Sequence, residues 1–203
     1  MNSKSFFLPL FGFYYLLLLF LIGACSGNTS ADAISTFKTP ATISPEETVI
    51  RFLEWYKSNR HELNKIPLVL NSTALEDTTK PYTVNFEGTE HYLSELKKCG
   101  YLSEKYLSSW RDYFDKAAQN WKDNPQFEGP PDYFDYDFIM LSQDFTEELK
   151  ELNLSNATLN QIENDFAYVV LNFKVSPMKL SYQLSHNGGK WQIDDIQNIS
   201  GQE

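Results

Sequence analysis

The sequence predicts an α+β domain over residues 44–203, with N-terminal helices packed on a curved antiparallel sheet. Three observations carry this expectation. Apolar residues recur at helical spacing through most of residues 44–121, strict alternation takes over from residue 166, and the two kinds of pattern follow one another instead of interleaving. The stretch beyond residue 43 is about 160 residues long, the size of one domain that buries roughly two-thirds of its extended surface.

The first helix opens at Ser44-Pro45-Glu46-Glu47. A serine N-cap, a proline at the first helical position and a glutamate three residues after the cap satisfy the free backbone donors and the positive end of the helix. Val49, Phe52, Leu53 and Tyr56 then fall at i, i+3, i+4 and i+7, with Ile50 and Trp55 widening the stripe, to an expected end near Arg60. Tyr82, Val84 and Phe86 alternate with polar residues as a short strand does, and Glu87-Gly88 is expected to end it. A second helix is expected over Thr89–Lys98, stopping at Gly100, with Tyr92, Leu93 and Leu96 inward and His91 outward. Ser103-Glu104 opens a third, whose Tyr106, Leu107, Trp110, Phe114, Ala117 and Trp121 read as a core stripe.

In the sheet, Ala167, Val169, Leu171, Phe173 and Val175 share one face of a strand. Its other face is apolar only at its start, at Phe166, Tyr168 and Val170, which predicts a curved sheet covered on both sides at that end. Leu180, Tyr182 and Leu184 alternate next, and Asn187-Gly188-Gly189 predicts a tight hairpin into Trp191 and Ile193, because a type I′ turn needs positive φ. A helical turn at Glu147–Leu152 and a strand around Leu159–Ile162 precede this meander.

Between helices and sheet, residues 122–137 read KDNPQFEGPPDYFDYD, a long loop with three prolines. Tyr133, Asp135, Tyr136, Asp137, Gln143 and Asp144 make this the densest cluster of carboxylates and phenols in the chain. Its simplest role is a cap that closes the core with its phenols hydrogen-bonded. Its chemical role would be a pocket, or acid–base work with Asp137 or Asp144 as base and Tyr133 or Tyr136 as acid, provided burial shifts their pKa values. Asp135, Asp137 and Asp144 are hard oxygen donors, but the glycine and closing glutamate of a calcium loop are missing, so no metal and no cofactor is expected.

At the other end of the chain, Lys4 precedes an apolar run from Phe6 that ends in Leu21-Ile22-Gly23-Ala24-Cys25. This resembles the lipobox of bacterial lipoproteins. The resemblance implies a signal peptide over residues 1–24, cleavage before Cys25, and a thioether-linked diacylglycerol plus an amide-linked acyl chain on that cysteine. The run is also long enough to span a bilayer, yet small residues before a cysteine and the absence of a following Lys/Arg cluster favour processing. Several acyl chains hold a protein stably on its membrane. Ser26, where inner-membrane lipoproteins carry Asp, directs the expectation to the outer membrane. Residues 25–43 are then a lipid-anchored tether, rich in Ser, Thr, Ala and Gly, reaching about 20 to 25 Å as a coil.

The whole chain carries a formal charge of −10 and no basic run. Nucleic-acid backbones and direct adhesion to anionic headgroups are therefore excluded as partners, leaving membrane contact through the lipid at Cys25. Cys99 is the second of two cysteines and is expected to be a buried, inert thiol.

The first helix, the Asp135-Tyr136-Asp137 segment leading to Gln143-Asp144, and the closing Gly189-Lys190-Trp191-Gln192-Ile193-Asp194-Asp195-Ile196 together resemble a family of bacterial lipoproteins of unknown function. That family belongs with the cone-shaped nuclear transport factor two-like (cystatin-like) folds. The resemblance implies a curved sheet wrapped around helices, with a pocket at the wide mouth to which Trp191 would contribute. Some members of the superfamily are isomerases or dehydratases; others bind ligands or form homodimers. His61, His91 and His186 do not reproduce the catalytic pattern. The expected function is a non-catalytic envelope module binding a small ligand or an envelope protein. The alternative is an enzyme using an Asp/Tyr pair on a small envelope metabolite.

Overall fold

The computed structural model describes residues 43–72 and 79–202. In chain order these form α1 (Pro45–Leu63), β1 (Val69–Leu70), β2 (Thr83–Val84), α2 (Phe86–Lys97), α3 (Glu104–Asp123), α4 (Thr146–Lys150), a 3-10 turn at Leu152–Leu154, β3 (Asn156–Glu163), β4 (Phe166–Asn172), β5 (Lys179–Asn187) and β6 (Lys190–Asn198). The architecture is α+β: helices followed by a four-stranded antiparallel meander in the order β3-β4-β5-β6, with β1 and β2 a separate antiparallel pair. The leader, Cys25 and all of the tether but its last residue lie outside the described residues. Among those that are described, no helix is long and apolar enough to cross a membrane.

Local chemistry sets the helix ends. The Ser44 hydroxyl accepts from the Glu47 amide at 3.2 Å, and Val49, Phe52, Leu53 and Tyr56 are buried. The helix runs one turn beyond Arg60 because Leu63, seven residues after Tyr56, continues the stripe and is itself buried. Ser103 caps α3 through the Tyr106 amide at 3.2 Å, and its buried residues are the six of the expected stripe.

At β2 the expectation fails. The strand stops at Val84, and Phe86 begins α2 because Asn85 caps that helix, accepting from the Gly88 amide at 3.1 Å while donating to the Pro67 carbonyl at 2.7 Å. Gly88 is thus part of the first turn and not a strand terminator. A Cβ there would lie 2.0 Å from the Pro67 oxygen, so only glycine lets the 67–68 backbone cross so close.

The inner face of the sheet is buried throughout: Ala167, Val169 and Leu171 on β4, Leu180, Tyr182 and Leu184 on β5, Trp191, Ile193 and Ile196 on β6. It packs on α1 and α3. Gly188 and Gly189 turn the last hairpin with φ of 58° and 81°, as their sequence predicts. The free side of β6 is covered by residues 101–103, which bridge Ile193 in parallel through Ser103 N–H to Ile193 O and Ile193 N–H to Tyr101 O, at 2.9 and 2.8 Å.

Three sheet expectations are corrected. β4 ends at Asn172; the Phe173 amide adds one more in-register bond to Met178 O at 3.2 Å, the chain then turns through residues 174–177, and Val175 is left exposed. Among the described residues no second layer covers the start of β4: Phe166 and Tyr168 are 57% and 41% exposed. Their apolar character at the head of the strand therefore does not mark a two-sided core. β3 is also longer than expected, eight residues with a bulge between Leu159 and Gln161.

Candidate functional site

Loop 124–145 closes one end of the helix layer, and Phe138 is its keystone. This ring is buried and meets those of Tyr92, Trp110, Tyr113, Phe114, Phe134 and Tyr136, with centroids 4.7 to 6.2 Å apart. Offset and edge-on aromatic contacts of this kind add to simple burial and fix the rings' orientations. The prolines and the bridge between Asp137 and Ser142 then hold the backbone over the cluster.

Asp137 is the polar centre. One carboxylate oxygen, Oδ1, accepts the amides of Ile139 and Met140 at 2.9 and 2.7 Å; the other, Oδ2, accepts the Tyr56 hydroxyl. Burial pushes its pKa up, while the Tyr56 hydrogen bond, the two amides and the charge of Arg60 pull it down; burial wins. The same burial, with the negative charge of Asp137 beside it, drives the Tyr56 and Tyr92 phenols far above their ordinary value. All three groups belong to separate elements, α1, α2 and the loop.

Asp137 lines a cleft of about 320 Å³ between residues 63–72 and residues 131–138. Its walls include Leu63, Pro67 and Val69 on one side and Phe134, Tyr136 and Phe138 on the other, with Tyr92 between. Backing this wall, Tyr136 donates to the Tyr113 hydroxyl at 2.8 Å, and Tyr113 donates to the Tyr133 carbonyl at 3.0 Å. A neighbouring groove of about 400 Å³ shares Leu63, Ile66 and Pro67 and is otherwise lined by residues such as Trp55, Asn59, His91 and Glu95. His91 is exposed, as expected, yet contributes to this groove.

The sequence candidates separate in space. Tyr133, Tyr136 and Asp137 belong to the cap. Asp135 and Gln143 are exposed and bond each other at 3.1 Å, and Asp144 is exposed. Trp191 is buried against His186, 4.9 Å between centroids, at the hairpin end of β6. Asn198, at the other end of β6, is the residue that reaches the loop, donating to Leu141 O at 3.1 Å. Seven residues of strand, roughly 23 Å at the usual rise, separate the two, so Trp191 does not join the cleft. Among the described residues no three His, Cys, Asp or Glu side chains converge as a metal would require.

Tyr56 and Tyr92 are the groups that sequence reasoning missed, because periodicity assigns both to the core stripe. The available signal was their identity: a buried tyrosine where phenylalanine would pack equally well needs a partner for its hydroxyl. Cys99 is half-buried instead of fully buried; its sulfur accepts the Tyr101 amide at 3.3 Å and burial raises its pKa.

No protein-family model, no curated protein and no solved structure matches this chain.

Proposed function

We propose that this is an exported bacterial lipoprotein, anchored to the envelope at Cys25 with the outer membrane as its destination, whose cone-like domain is a ligand-binding module and not an enzyme. The cleft beside Asp137 is its binding site. The lipobox-like Leu21–Cys25 stretch and the tether support the anchoring. The antiparallel meander with helices on one face supports the cone of the nuclear transport factor two-like folds.

One observation carries the choice of binding over catalysis: the polar groups of the cap are already engaged with one another. Asp137 takes three internal hydrogen bonds, and Tyr136 and Tyr113 pass theirs on to a carbonyl. A general base needs an oxygen clear of internal donors, whereas both oxygens of Asp137 already carry one and so hold the wall of a preformed cleft. Asp135 and Asp144 are exposed and do not line the cleft.

The enzyme reading keeps one observation in its favour, a carboxyl with a raised pKa next to two phenols in a cleft. Feeding cells a radioactive fatty acid tests the anchor: label is expected on the wild type and lost in Cys25→Ala, and label on neither overturns the placement. For the cleft, ligand recovered unchanged after long incubation supports binding; turnover abolished by Asp137→Asn overturns it.

A further inference from the structure

We propose that the cleft beside Asp137 is selective for an organic cation, a primary ammonium group carried on a small apolar body. This rests on the reading of that cleft as the binding site and adds the class of ligand.

Charge is the first reason. Asp137 is the one charged side chain among the described residues that line the cleft. Among the described residues no Lys, Arg or His nitrogen lies within ion-pairing distance of it. Arg60, whose charge reaches it, has its guanidinium over the Phe145 ring at 5.3 Å. Hydrogen bonds from two amides and a phenol orient the carboxylate without neutralising it, and a charge withdrawn from water is stabilised further by an ion of opposite sign. A ligand cation supplies the pairing that the protein does not.

Acceptor capacity is the second. A carboxylate offers about four lone-pair sites. Oδ1 uses two on Ile139 and Met140, and Oδ2 uses one on Tyr56. One site on Oδ2 is left for a donor that enters the cleft.

The rings are the third. Tyr92, Phe134, Tyr136 and Phe138 all line the cleft, and the first three stand nearly edge-on to Phe138, at interplanar angles of 79°, 69° and 86°. Walls at such angles present π-faces in more than one direction, as an ammonium group needs. Leu63, Pro67 and Val69 complete an apolar side for the body of the ligand. A volume of about 320 Å³ admits a single small ligand. An anion meets Asp137 with no cation to offset it. A neutral ligand of the same shape covers the carboxylate without pairing it.

The test compares 2-phenylethylammonium with its neutral counterpart 2-phenylethanol, by calorimetric titration of the full-length chain in non-ionic detergent at neutral pH, with detergent-only blanks. The wild type is expected to bind the ammonium about tenfold or more tightly than the alcohol. Asp137→Asn is expected to remove that preference. The ratio in the wild type alone decides the matter if that variant does not fold. Equal affinities for the two probes overturn the cation proposal and leave the binding cleft standing. A preference that survives Asp137→Asn does the same. Binding of neither probe overturns the cleft as a binding site, and the proposal with it.

Discussion

Asp137 in the cap loop and Asp194 in the closing strand are both drawn away from bulk water, and the surroundings treat them in opposite ways. Asp194 occupies a bulge in β6, is 7% exposed, accepts the Ser185 hydroxyl at 3.0 Å and has the Lys105 ammonium 3.9 Å away. Asp137 is half-buried, is held by two amides and a phenol, and has no cation in ion-pairing range among the described residues. The sheet site is electrostatically complete; the loop site is ordered but still carries an unpaired charge. Order and neutrality are separate properties, and only the site that has the first without the second is equipped to take a charged guest.

Substitutions that unequally damage the two sites sharpen this contrast. Asp137→Ala leaves the Tyr56 hydroxyl and two amides without their acceptor, and a loss of about 3 kcal/mol of unfolding free energy is expected in chemical denaturation. Tyr56→Phe removes one hydrogen bond to a charged group, for a loss of about 2 kcal/mol. It also takes away an interaction that lowers the Asp137 pKa, which then moves further up.

The pH dependence has a definite sign. Because the folded state raises the Asp137 pKa, protonation is easier there than in the unfolded chain. The contribution is fully present below the carboxyl's unfolded value and is lost as pH rises through the raised one. Relative to Asp137→Asn, the wild type is expected to gain stability on acidification across that window, by up to about 1.4 kcal/mol per pH unit. The other groups facing Asp137 are the Arg60 guanidinium of α1 and the phenols of Tyr56, Tyr92 and Tyr106, which burial raises away from the acid range. Parallel curves for the two proteins would break the argument for a shifted carboxyl.

At the sheet site the effects are smaller. Ser185→Ala is expected to lose about 1 kcal/mol, since Asp194 gives up one hydrogen bond. Lys105→Ala changes stability by less than about 0.5 kcal/mol, because the lysine is largely exposed and its contact is long. A large Lys105 effect would mean that the sheet carboxylate depends on its cation more than this geometry allows.

Much of the fold was legible in the residues themselves. The capped starts of α1 and α3, the α3 stripe and the Gly188-Gly189 turn each arise from chemistry within a few positions of chain, and each appears where the sequence predicts it. The sequence misled where a distant partner intervened. Asn85 reads as a strand residue until the Pro67 carbonyl gives its amide a partner, and Phe166 and Tyr168 read as covered although no layer among the described residues lies over them.

The candidate site divides along the same line. Composition alone singled out the loop and its carboxylates, because prolines, phenols and aspartates crowd a short stretch. It had no means of ranking Asp135, Asp137 and Asp144, which look alike in one dimension. Tertiary packing separates them: Asp137 meets the phenol of Tyr56, 81 positions earlier in the chain, while Asp135 and Asp144 remain exposed. Periodicity records which face of an element turns inward, a local property of backbone geometry. Which polar group it meets there depends on how separate elements dock, and that is decided by the packing of the whole core.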